Sequence, residues 1–209
     1  FGGGAHAAGF ALMEQNASGL GNAYAGQAAA AEDASTIFFN PAGMTRLQGR
    51  QVSGSVNLIR PSAEFTSSGA SAAPAGLPSP GGNGGDAGDW AAVPNAYLSW
   101  SLNEDVYLGI GLGAPFGLIT EYNRDWVGSA HSIKFDIKTY NINPSIAWRV
   151  NEKVSLGFGL NWQRMEAEYV RRAGIYPAPI AGMPLSTSFA TLDADDDSWG
   201  WNVGALFSV

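Results

Sequence analysis

Few side chains in this sequence have the type and spacing that chemistry requires. His6 and His131 are its two histidines and stand far apart, so they make no metal pair. There is no cysteine, which removes a thiolate zinc site, a disulfide framework and a thiol nucleophile. No Gly-x-Ser-x-Gly run offers a serine at a strand-to-helix elbow. Gly19-x-Gly21 followed by Gly26 has the wrong spacing for a phosphate-cradling loop, and no strand pattern precedes it. Asp193, Asp195, Asp196 and Asp197 could hold calcium through oxygen ligands or simply edge a solvated loop. Asn40-Pro41-Ala42-Gly43 reads as a helix start, with Asn at the N-cap and Pro at the first helical position. These residues predict no enzyme and no cofactor. What is left is binding through burial of apolar surface.

Composition narrows the elements that must hold such a site. Only 14% of the 209 residues are charged, against about 25% in ordinary soluble proteins. Yet 45% are hydrophobic, and there are 28 Gly, 7 Trp, 7 Tyr and 10 Phe, which is not the make-up of a disordered tail. A net charge of −7 argues against a nucleic-acid partner. The apolar stretch from Val106 to Thr120 is too short for a spanning helix, and Gly109, Gly111, Gly113 and Pro115 would spoil one. The chain opens at Phe1 without a basic-then-apolar leader, as expected of an exported chain whose signal peptide is gone.

The period along the chain is two. Ala96, Leu98, Trp100 and Leu102 alternate with Tyr97, Ser99 and Ser101. Val106, Leu108, Ile110 and Leu112 alternate with Tyr107 and the glycines. The same grammar returns from Tyr140 to Trp148, from Val154 to Gln163 and from Trp201 to Ser208, with a weaker first member from Val52 to Leu58. Six strands follow. In a soluble sandwich the second face would carry Lys, Glu and Thr into water. Here that face is Gly, Ser and Asn, while the apolar face ends in Trp or Tyr. The pattern favours an all-β fold, a transmembrane antiparallel β-barrel with lipid outside and a polar lumen.

Connections fit that reading. Asn103-Glu104-Asp105 and Val150-Asn151-Glu152-Lys153 are short, whereas Thr66 to Asp89, Phe116 to Ser132 and Arg171 to Ser198 are expected as long outer loops. An internal echo, Asn103 to Leu112 against Asn151 to Leu160, marks the short side. The Pro- and Gly-rich first loop reads as mobile. Residues 1–48 lack period two and should form short helices broken by Gly: an N-terminal hatch in the lumen of the barrel begun by residues 49–209.

Particular runs now carry a family resemblance: Ala8-Gly9-Phe10, Ser18 to Gly26, Ala31-Glu32-Asp33-Ala34, Asn40-Pro41-Ala42, Val93-Pro94-Asn95, Gly117-Leu118, Thr120 to Asn123 and Gly200-Trp201-Asn202. In that order the chain resembles the FadL/TodX outer-membrane transporters of long-chain fatty acids and other hydrophobic compounds. The resemblance implies a fourteen-stranded barrel, of which about six strands lie here, so the chain is similar to the family's N-terminal half. Phe207-Ser208-Val209 lacks the terminal aromatic that closes such barrels. It also implies the outer membrane of a Gram-negative bacterium, a hydrophobic small-molecule ligand, contact with outer-membrane lipid, and favours a monomer.

By resemblance, Phe10, Asn40, Pro41 and Ala42 match hatch positions beside bound ligand. A plain N-cap is the other reading of Asn40, and both can hold. Gly109, Gly111, Gly113 and Pro115 match a broken third strand that opens the wall sideways; tight packing on the plug is their other reading. The family's lumenal basic group is not clearly matched, since Arg164 falls on the outward face beside Glu166. The implied function is passive passage: lumenal binding, hatch movement and lateral release. The alternative is a structural or surface-interaction barrel. An enzyme would need a Ser/His pair on one strand face, and none is seen.

Overall fold

The structure is a computed structural model that describes residues 11–69, 81–176 and 186–208. Seven strand segments build one antiparallel sheet: β1 Arg50–Ile59, β2 Ala91–Ser101, β3 Val106–Gly113, β4 Gly117–Glu121, β5 Lys134–Asn151, β6 Val154–Tyr176 and β7 Ser186–Phe207. Their order is β1-β2-β3-β5-β6-β7, and β4 pairs β5 beyond the end of β3. β3 and β4 are thus two pieces of one wall strand, interrupted at Ala114-Pro115-Phe116. The six expected strands are present, and the sheet is an open arc of a barrel.

Alternation decides which face is which. Leu108, Ile110, Leu156, Phe158, Leu160 and Val203 are exposed, while Tyr97, Ser99, Asn143, Ala147 and Ser155 are buried on the other face. The polypeptide itself supplies the cover. Before β1 it winds through a 3₁₀ turn (Leu20–Asn22), α1 (Gln27–Ala30), α2 (Thr36–Phe39) and a second 3₁₀ turn (Pro41–Arg46). Each is too short to be stable alone. Ala34, Ile37, Met44 and Leu47 of this hatch form the buried core together with Tyr97, Tyr107 and Ala147 of the wall. The core therefore lies between plug and wall, and the wall's other face is apolar and uncovered.

The short turns are built alike. Asn103 Oδ1 accepts from the N–H groups of Asp105 and Val106 at 2.9 and 2.8 Å. Asn151 Oδ1 accepts from those of Lys153 and Val154, both at 2.9 Å. The sequence echo is an Asx clasp used twice.

The long connections differ from expectation. The stretch from Arg171 to Ser198 is largely strand: β6 and β7 pair out to Tyr176 and Ser186. The stretch from Phe116 to Ser132 contains β4, and β5 begins at Lys134 rather than Tyr140. The reason is solvation. Above the bilayer the outward face of a strand meets water instead of lipid, so that face turns charged while the ladder continues. β6 has 23 residues and β7 has 22, about twice what crosses the hydrocarbon. On their outward face charges replace Trp162 and Trp199: Arg164 lies 3.2 Å from Glu166, 2.9 Å from Asp195 and 3.6 Å from Asp197. Two of the calcium candidates are thereby paired with a guanidinium, and no group of metal-ligating side chains is assembled among the described residues. Pro74, Pro78, Pro80, Pro177, Pro179 and Pro184 lie outside the described residues.

Candidate functional site

Asn40 caps the second 3₁₀ turn as its sequence predicts. Its Oδ1 accepts from the Ala42 N–H at 3.1 Å, with Pro41 at the first helical position. Its Nδ2 donates to two carbonyls, Ala28 at 2.8 Å and Ala205 of β7 at 3.1 Å. Asn40, Pro41 and Ala42 are all buried. A Cβ on Gly157 would collide with Ala42 N and one on Gly204 with Asn40 Oδ1, so two strands are bare where the motif lands. Thr45 Oγ1 is bonded to Ser155 Oγ at 2.9 Å, and Arg149 donates to the Thr45 carbonyl and to Tyr107 Oη. This end of the hatch is fastened to β5, β6 and β7.

The other end meets the interrupted strand. Gly109 and Gly111 are paired on both sides, to β2 and β5, and form a seat for the hatch: a Cβ on Gly109 would overlap Met44 and Ile37. Gly113 and Pro115 stand at the break. Past Ala96↔Leu112 the β2–β3 pairing ends, and β2 from Ala91 to Asn95 has no partner on that side. Broken ladders leave orphan main-chain groups, which are costly when buried. Here they are met by improvised partners. Leu12 N–H donates to the Pro115 carbonyl at 2.8 Å, and Gln15 Nε2 to the Ala114 carbonyl at 3.3 Å. Thr139 Oγ1 accepts from Phe116 N–H at 2.9 Å and donates to its carbonyl at 2.7 Å. Asn57 and Asn95 both donate to the Glu14 carbonyl, and Tyr97 Oη to that of Gln15.

Beside the break lies a cavity of about 1240 Å³. Its lining takes inward residues, Val93, Asn95 and Asn141, and outward ones, Ala92, Pro94 and Ile142. A space lined from both faces of one sheet passes through that sheet. Leu12, Gly113 and Ala114 border it; Asn40, Pro41 and Ala42 do not. The structure therefore separates the candidate residues into two groups, and Phe10 lies outside the described residues.

A second polar cluster sits on the lumenal face. Asn143 Nδ2 and Asn161 Nδ2 donate to Asn202 Oδ1 at 3.0 and 2.9 Å, and Ser145 donates to Asn143. Gly159 leaves the room these amides occupy. These residues lie on the face that alternation gives to Gly, Ser and Asn. Sequence reasoning missed Gln15 and Thr139, whose partners are main-chain groups that only the break exposes.

Comparison with known proteins agrees with this architecture. The sequence profile described as "Outer membrane protein transport protein (OMPP1/FadL/TodX)" matches residues 2–209. The chain is 32% identical to a long-chain fatty acid transport protein of Salmonella typhi, covering 98% of this chain and 48% of that protein. It is 32% identical to outer membrane protein P1 of Haemophilus influenzae, covering 98% and 51%. The crystal structure of a Pseudomonas aeruginosa FadL homologue superposes with a TM-score of 0.72 at 25% identity, covering 97% of this chain and 50% of that one. A TodX mutant, a monoaromatic hydrocarbon channel, shares the fold with a TM-score of 0.56 at 12% identity. The chain thus spans about half the length of the relatives it matches. A sheet of alternating faces, a hatch seated on wall glycines and a profile match over nearly every residue make this chain a member of the OMPP1/FadL/TodX family of outer-membrane transport proteins.

Proposed function

We propose that the protein carries hydrophobic molecules passively across the outer membrane of a Gram-negative bacterium, and that they leave sideways through the break between β3 and β4. The observation that supports this reading is the cavity of about 1240 Å³ lined from both faces of the wall. Its apolar lining would hold a hydrocarbon tail at about 25 cal/mol per Å² of buried surface. No bond is made or broken, so the work falls to shape and burial. The ligand site implied by Phe10, Asn40, Pro41 and Ala42 would lie beside the hatch, with Asn40 acting through the shape of the 3₁₀ turn because its own polar atoms are already bonded. The fastened end of the hatch, from Thr36 to Leu47, would stay in place. The strap from Leu12 to Gln15, held at the break by hydrogen bonds, is the part that would shift.

The test is a staple. The pairing slips by one residue between β3 and β4, which sets Phe116 level with Thr139 and Val93, so Val93→Cys with Phe116→Cys should close the gap on oxidation. Uptake of a labelled long-chain compound by cells carrying the complete protein should fall on oxidation and return with dithiothreitol. A cross-linked protein that transports at the parent rate removes the lateral route.

A further inference from the structure

We propose that Lys138 is a specificity-determining residue at the outer rim of the wall cavity, where it receives the anionic head of an amphiphilic cargo. The proposal rests on the lateral route above. Four observations converge on it. Lys138 lines the cavity, on the β5 side. Its side chain is 51% exposed, far more than the flanking Asp136. The ammonium has three donors, and among the described residues its one ion-pair partner is Asp136 Oδ2 at 2.9 Å. That same oxygen also lies 3.8 Å from Lys134 Nζ, so one carboxylate oxygen is divided between two ammonium groups. Lys134 has Glu168 as its nearer partner, and Asp136 Oδ1 is buried without one, so Lys138 is left with a single acceptor for its three donors.

Position gives the charge its meaning. Lys138 pairs in register with Glu166, two residues beyond the pair Tyr140 and Arg164 and four beyond Ile142 and Trp162. Below that level the outward face is Ile142, Ile146 and Trp148; above it the face is charged. The ammonium therefore stands where hydrocarbon gives way to the polar boundary. The opposite rim, on the β2 side, carries Asp89. An anion in the opening is repelled from one rim and drawn to the other, while its tail lies along Pro94, Leu112 and Ile142. An anionic oxygen at Lys138 could belong to the cargo or to a neighbouring lipid headgroup. The two sources are separable because only the first depends on what is being carried.

The experiment compares hexadecanoate with hexadecane, equal in chain length and different in the head. Lys138→Met keeps the stem and removes the charge. In cells carrying the complete protein it should lower hexadecanoate uptake about three- to fivefold relative to hexadecane, the scale of one half-exposed charge contact. Lys138→Arg should restore it. An unchanged ratio overturns the assignment of Lys138, and an equal fall for both compounds overturns it in favour of a lipid or structural role. The oxidised Val93–Phe116 staple should block both compounds. If it blocks neither while the Lys138 variant still discriminates, the lateral route fails and the head-group contact stands by itself.

Discussion

At the scale of single residues, Asn40 shows how one side chain can serve a turn and a wall together. Asn40→Ala should cost about 1–3 kcal/mol, from the lost cap and two carbonyls left without a donor. Asn40→Asp is the sharper variant. It keeps the capping oxygen but turns a carboxylate toward the Ala28 and Ala205 carbonyls, so it should destabilise at neutral pH at least as much as Ala. A denaturation midpoint in detergent measures both, and an Asp variant as stable as the parent would remove the tie to β7. The cap was legible in the sequence because Asn-Pro is a local signal. The bond to Ala205 was not, because no local pattern reports a partner 165 positions away. A second residue-scale expectation concerns Asp86 in the first outer loop. The Ala63 N–H and then the Gly88 N–H hold its carboxyl below the usual 3.8. A lowered folded value means the contribution is present above the unfolded value and lost as pH falls through the folded one. Protection of the Ala63 and Gly88 amides, taken relative to their intrinsic exchange rates, should therefore fall as pH drops below 3.8, and Asp86→Asn should flatten that dependence.

At the scale of elements, the strand faces were readable and the strand lengths were not. Leu156 and Phe158 face outward and Asn161 inward, as alternation requires. Arg at Leu156 or Phe158 should hinder assembly by about 2–4 kcal/mol near the midplane. Arg at Asn161 should cost much less, although it disturbs the link to Asn202. Equal folding yields into liposomes would reject this register. Lengths were missed because the outward face changes from apolar to charged where the bilayer ends, so the strand no longer carries the lipid-facing signature that marked it. From Arg164 to Val170 the outward face is Arg164, Glu166 and Glu168 while Met165, Ala167 and Tyr169 turn inward, so the period continues with its polarity reversed and every residue stays in the ladder. The interrupted strand was legible through Gly113 and Pro115. That Gly109 and Gly111 seat the hatch could not be separated from that signal, since all three glycines share one period.

At the scale of the molecule, the hatch is held unequally: β5, β6 and β7 fasten one end, and the strap at the break holds the other. Deleting residues 1–10 from the complete protein removes Phe10 and whatever precedes the strap, and should lower uptake while the barrel still assembles. Undiminished uptake with normal heat-modifiable mobility would separate gating from the N-terminus. The arrangement also sets an order in time. Each wall strand pairs with a neighbour in sequence, so the sheet can grow outward from its first hairpin at small entropic cost. The seat of Asn40 is different: it needs the carbonyl of Ala205 and the bare backbones of Gly157 and Gly204, which β6 and β7 supply. Until β7 is laid down, Asn40 Nδ2 lacks the second of its two acceptors. A segment that precedes every described wall strand thus completes its docking only after β7 has joined them, and for that interval its capping turn sits on an unfinished wall.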